Sequence, residues 1–253
     1  MLATVYGDES CGLRAISYAV VVVPVFLGAV VEHGLAEIKV RYGGAPDEEL
    51  HSTELLRKPE RRAQLPFAHL THEEIMQMLA DVAALAQRWA LQSSIALSPL
   101  PDTASPAEGA ASRPMWTHID GSEVPFAEAD MRILEEHDKK SVARLAGISL
   151  LPVMETYPIP ELRFVLDPDE DGMVRWSPSD VKLMELIERE WFPFSPGRIT
   201  LANVPRPKPP LLQVADVLAF ASTRSELPDS ITTRRFRAIV ATFAPVTSRC
   251  VVD

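Results

Sequence analysis

Cysteine is scarce in this chain. Cys11 and Cys250 are its only two among 253 residues. That excludes a disulfide framework and predicts a reducing, cytoplasmic setting. Their spacing matches no zinc motif. Positive charge is short as well: 25 Lys and Arg against 35 Asp and Glu leave a formal net charge of −10. A globally basic nucleic-acid binder is thereby excluded, although a local basic patch is not. Aromatic residues make up 7%. The four tryptophans, Trp89, Trp116, Trp176 and Trp191, are scattered and read as core or surface anchors rather than as a stacking platform. No phosphate-cradling glycine loop, zinc signature or dinucleotide fingerprint occurs. The longest apolar stretch, Ile16 to Val31, is shorter than the ~20 residues of a membrane helix and is broken by Pro24, so no membrane span is expected. No basic segment precedes the first apolar run, and no signal peptide is expected.

What is present suits a sizeable core. Hydrophobic residues make up 47% of the chain, which is compatible with one domain over residues 1–253. Residues 2–8 and 15–23 read as paired strands, the second built on the β-branched run Val20–Val23. Thr71-His72-Glu73-Glu74 has the form of a capping box. Behind it Ile75, Met78, Leu79, Val82, Leu85, Ala86 and Trp89 share one helical face. Strands are expected at 94–97, 162–166 and 199–204, and helices at 128–145, 177–191, 211–222 and 233–243. Residues 99–114, rich in Pro, Ala and Ser, read as a flexible insertion. Early paired strands followed by alternating strands and helices indicate an α/β fold with a mixed central sheet flanked by helices.

Four acids stand at unusual places. Asp8 follows the apolar run Leu2–Tyr6, and Asp167 follows Leu162–Leu166. Glu54 lies in His51-Ser52-Thr53-Glu54-Leu55, and Asp216 lies inside the apolar helix at 211–222. Ionised carboxylates near a core are costly unless paired, hydrogen-bonded or metal-bound. Ligand sites of α/β sheets lie beyond strand ends, which favours Asp8 and Asp167, while turn chemistry explains an acid after a strand equally simply. Gln213 and Thr223 extend a polar stripe around Asp216. His51 and Glu54 are one helical turn apart. Brought together, the four acids would make a divalent-metal site. Arg57, Lys58, Arg61 and Arg62 follow Glu54 and are candidate phosphate contacts. Lys139 with Lys140, Arg206 with Lys208, and Arg234, Arg235 and Arg237 form further small basic clusters. Asp167, Asp169, Asp171 and Gly172 imitate half a calcium loop, but Pro178 occupies the position that needs a bidentate Glu. His69 and His72 are expected at the surface.

Tyr6-Gly7-Asp8-Glu9-Ser10 resembles the opening motif of a widespread microbial family known as domain of unknown function 3800. His51-Ser52-Thr53-Glu54-Leu55 is similar to that family's HxxEL element. Val165-Leu166-Asp167 resembles its strand-ending Asp, and Leu212 to Ala219 its LQxADxxA helix. The resemblance implies an RNase H-like fold. In such folds acids from the first strand, a helix, a later strand and a late helix converge on two divalent ions, magnesium or manganese. Carried over, Asp8 would bridge the ions, with Glu54, Asp167 and Asp216 completing the site. Glu9 and Asp169 would support it, and Ser10, His51 and Gln213 are further supporting candidates. The implied activity is metal-dependent phosphodiester hydrolysis of RNA or DNA. The alternatives are hydrolysis of a smaller phosphate ester and a catalytically inactive RNase H-like module that binds nucleic acid or protein. Two features depart from the family pattern: Cys11 precedes Gly12, and the 99–114 insertion intervenes.

Overall fold

Val20–Val23 lie in a strand whose every residue is buried, so both faces of the sheet are covered at its centre. The computed structural model describes residues 3–11, 15–56, 63, 65–99, 115–117, 123–125, 149, 162–166, 199–202, 209–243 and 247–251. Its strands are β1 (Ala3–Cys11), β2 (Ala15–Pro24), β3 (Ser93–Pro99), β4 (Met115–Thr117), β5 (Glu123–Pro125), β6 (Leu162–Leu166), β7 (Ile199–Ala202) and β8 (Thr247–Val251). Its helices are α1 (Gly28–Arg41), α2 (Ser52–Leu55), α3 (His72–Arg88), α4 (Leu212–Ser225) and α5 (Ile231–Phe243). A short 3₁₀ turn, Val25–Leu27, leads into α1.

The main sheet is mixed and has the order β7-β6-β1-β2-β3-β8. β1, β2 and β3 form an antiparallel meander. β6 joins β1 in parallel, β7 joins β6 in parallel, and β8 joins β3 in parallel. β4 and β5 form a separate antiparallel pair. The architecture is thus α/β, a central sheet flanked by helices. Cys11 and Cys250 sit on β1 and β8 with two strands between them. That separation, about 14 Å at the usual strand spacing, is twice the reach of a disulfide.

The side-chain period of two divides β2 between two cores. Ala15, Ala19, Val21 and Val23 belong to the core shared with the helices. The alternating Ile16, Tyr18, Val20 and Val22 are buried against the opposite face. α4 lies on the helix side of β1 and β2, and every residue of it except Arg224 is buried. A helix apolar on nearly all sides belongs inside, and here α3 and α5 cover it from without. Ser17 Oγ donates to the Ala219 carbonyl at 2.8 Å, which requires the α4 backbone to ride close to β2. Phe236 of α5 meets Phe220 of α4 edge-on, with ring centres 5.7 Å apart. The capping box of α3 forms as expected. Thr71 Oγ1 accepts from Glu74 N–H at 3.2 Å, and Glu74 Oε2 accepts from Thr71 N–H at 2.8 Å.

Some boundaries differ from expectation. β1 continues to Cys11, so Asp8 lies within the strand, opposite Ala19, rather than at its end. The reason is the hairpin: Glu9, Ser10 and Cys11 pair with Tyr18, Ser17 and Ile16. The parallel neighbour β6 ends at Leu166, opposite Gly7, so Asp8 is one step past that strand's last residue. α4 and α5 are longer than expected; of the strand expected at 199–204, residues 199–202 are described and form β7. The helices expected at 128–145 and 177–191 and the insertion after Pro99 lie outside the described residues.

α1 is tied to α3 by one acceptor. Asp81 accepts from Arg41 at 2.9 Å, Tyr42 Oη at 3.0 Å and Gln77 Nε2 at 3.1 Å. Burial, then the hydrogen bond to Asp81, raises the Tyr42 hydroxyl from 10.0 to about 12. The fold therefore favours the neutral phenol. That contribution is fully present below pH 10 and is lost as pH rises through 10 to 12. Stability of the wild type should fall more steeply than that of Tyr42→Phe across this window, as read by denaturant melts at stepped pH. Parallel profiles would contradict the assignment.

Candidate functional site

Asp8 and Ala19 are cross-strand partners, so their side chains share a face of the sheet, the one covered by α4. Gly7 points to the other face. A Cβ there would stand 2.8 Å from Tyr18 Oη and 2.9 Å from its ring. The residue before Asp8 is therefore held to glycine by the Tyr18 ring lying over it. Two residues on, Ser10 Oγ meets Thr223 Oγ1 of α4 at 3.1 Å. Asp8 thus sits on the stretch of β1 that runs under α4, only 7% exposed. Its Oδ1 accepts from the Glu9 N–H at 2.9 Å.

Asp216 comes from α4 itself and is 8% exposed. Its Oδ2 accepts from the Ser52 N–H at 2.7 Å. One turn earlier, Gln213 Oε1 accepts from the Leu50 N–H at 3.1 Å. Two side chains on one stripe of α4 therefore grip the amides on either side of the extended His51, just where α2 begins. The polar stripe expected around Asp216 has this task at one end and the Ser10–Thr223 contact at the other.

The grip places His51 between the two pinned amides. Asp8, Glu49, Leu50, His51, Leu212, Gln213 and Asp216 line one cleft with a cavity of about 10 Å³. That is room for about one water-sized sphere. Asp8 and Asp216, distant in sequence, are thus brought together with His51 and Gln213. Glu54 is half-buried on α2, two residues past the pinned Ser52 amide, and does not line the cleft. Glu49 does line it and was missed. It stands in the run Asp47-Glu48-Glu49, where nothing local separates one acid from its neighbours. Asp167, Asp169, Arg57, Lys58, Arg61 and Arg62 lie outside the described residues. Leu166, the residue before Asp167, pairs with Gly7, the residue before Asp8.

Oxygen donors such as these carboxylates suit a hard cation. Among the described residues, however, no three His, Cys, Asp or Glu side chains converge closely enough to hold a metal ion. Asp8 and Asp216 are two such donors in one cleft; a complete ligand set would need groups from beyond the described residues.

The surrounding charge is mostly committed. Arg235 makes a paired contact with Glu73, one arm at 2.7 Å. Arg234 and Arg237 both reach Asp229, at 3.0 Å. This basic cluster is locked in local ion pairs rather than left open for phosphates. Lys39 is buried beneath the loop after α1. Burial lowers its ammonium from the usual lysine range, opposed by Asp47, Glu49 and Glu48. His69 bonds the Tyr42 carbonyl at 2.9 Å and His72 is exposed, so the two histidines do not act as a metal pair. Among the described residues no helix is long and apolar enough to cross a membrane. The chain matches no family model, no curated protein and no solved structure, so its site is argued from its own geometry.

Proposed function

We propose that this chain is a metal-dependent phosphodiester hydrolase, a nuclease acting on RNA or DNA, built on an RNase H-like sheet. The observation that carries the reading is the meeting of two buried carboxylates, Asp8 from β1 and Asp216 from α4, in one cleft. Two carboxylates that share a buried cleft repel each other, and a cation bound there would offset both charges. The order of supply, first strand, short helix and late helix, is also the order that the family resemblance implies for Asp8, Glu54 and Asp216.

On this reading Asp8 and Asp216 would hold the ion; the resemblance adds Asp167 and Glu54 to the set, although Glu54 on α2 does not line the cleft. A bound magnesium or manganese ion supplies Lewis acidity at the phosphoryl oxygen and a more acidic water. The protein's share is positional. The Ser52 amide fixes one Asp216 oxygen, the Glu9 amide fixes one Asp8 oxygen, and the grip of α4 on segment 50–52 closes one wall of the cleft. No protein nucleophile is required.

The test is incubation of the purified chain with labelled single-stranded and duplex RNA and DNA, with manganese or with chelator. Manganese-dependent cleavage of at least one substrate is expected. Binding without cleavage in every condition would favour the second reading, a catalytically inactive RNase H-like module. That reading draws on a specific observation, the lack of a three-ligand metal group among the described residues.

A further inference from the structure

His51 carries an anomaly that the proposed metal site does not absorb. Its Nδ1 is buried and makes no hydrogen bond. Buried polar atoms are nearly always partnered, and an exception calls for a reason. The backbone on either side of His51 is pinned, which sets where its side chain starts. The Leu50 amide is bonded to Gln213 and the Ser52 amide to Asp216. An extended residue held at the amides on either side has little freedom to turn its side chain away. His51 therefore lines the cleft beside Asp8 and Asp216 by construction.

Gln213 strengthens the point. It is 5% exposed, and its Oε1 is taken by the Leu50 amide. The cavity beside these groups has the volume of about one water molecule. A water at such a place needs two to four polar partners. His51 Nδ1, the two carboxylates and the Gln213 amide provide that number.

We propose that His51 orients the attacking water of phosphodiester hydrolysis, its Nδ1 accepting a hydrogen bond from that water beside Asp8 and Asp216. The inference rests on the hydrolase reading above. The water oxygen forms the new P–O bond, and the P–O bond to the leaving alcohol breaks. The water's proton passes to bulk solvent, and the leaving oxygen takes up a proton from solvent. His51 acts by direction alone: a lone pair at Nδ1 sets which way the water's own lone pair points.

Three variants separate this role from a structural one. Asn places a polar atom where Nδ1 stands, Gln places one where Nε2 stands, and Phe keeps the ring without either. With manganese and a labelled oligonucleotide, His51→Gln and His51→Phe should each lower kcat by about a hundredfold, the scale of a misdirected reactant. KM and manganese affinity should not change, and His51→Asn should retain kcat to within about tenfold. Equal loss in Asn, Gln and Phe variants, or unchanged kcat in all, overturns the role. So does a loss that falls on KM or on manganese affinity. Nitrogen-15 NMR of the histidine rings in the wild type gives a reading independent of turnover. Nδ1 of His51 should be unprotonated and accept a hydrogen bond from water. A protonated Nδ1, or one bonded to a protein group, overturns His51 alone. A wild type that cleaves nothing overturns the hydrolase reading, and this role with it.

Discussion

Replacing Asp8 and Asp216 together by asparagine should abolish manganese-dependent cleavage while leaving the fold almost untouched. Asn keeps a carbonyl oxygen in each place. The Glu9 amide, 2.9 Å from Asp8, and the Ser52 amide, 2.7 Å from Asp216, therefore retain an acceptor. What disappears is the charge that a hard cation needs. Loss of a supporting group alone weakens metal sites by about 10- to 100-fold, so loss of two direct ligands should exceed about a hundredfold. Calorimetric manganese titration and the cleavage assay would read this, and unchanged affinity with unchanged cleavage would sink the site. Asp216→Ala makes the contrast. It removes the acceptor and leaves the Ser52 amide buried without a partner, at a cost of about 1–3 kcal/mol. Asp216→Ala should melt several degrees below Asp216→Asn, although both lose activity.

Ala219→Leu should damage fold and chemistry together. Ala219 is fully buried, and its carbonyl receives Ser17 Oγ at 2.8 Å. That contact exists because small residues let α4 approach β2. Extra methylenes in a filled core cost about 1–3 kcal/mol, more where neighbours cannot shift. Here the neighbours are a fully buried strand and the helices outside α4. The strain is relieved by lifting α4, which carries Asp216 one turn before Ala219. A displacement of about 1 Å at reacting groups costs about a hundredfold in rate. Both the melting temperature and kcat should therefore drop, whereas Ala241→Leu on the exposed side of α5 should change stability by no more than about 0.5 kcal/mol. An Ala219→Leu variant that melts and cleaves like the wild type would refute the close-approach argument.

The fold was legible where local chemistry and burial agree. The β-branched run of β2, the Thr71–Glu74 capping box and the apolar face of α3 each have one physical solution. Asp8 and Asp216 were legible because an acid next to apolar residues is costly wherever the chain goes. Pairing was harder. Asp8 reads as a strand end because Gly7 and Glu9-Ser10 carry turn-like chemistry, yet cross-strand bonds to β2 extend β1 past them. β8 went unread because its partner β3 is distant in the chain, and the β4–β5 pair because strands of three residues carry too little pattern. The grip of Gln213 and Asp216 on the amides of Leu50 and Ser52 leaves no trace in composition, because a backbone donor is the same in every residue but proline. For that reason His51 was seen only as a helical neighbour of Glu54 and a supporting candidate, and Glu49 was not seen at all.

The two bonds that hold segment 50–52 span 163 and 164 residues. Closing so long a loop comes late, because its entropic cost precedes its reward. During synthesis β1, β2 and α1 emerge long before α4. Asp8 and His51 therefore wait, without their wall, until residues 213–216 have left the ribosome. The cleft is in effect a timer. A growing or truncated chain that lacks α4 has Asp8 and His51 but neither Asp216 nor the grip, so the cleft has not yet formed.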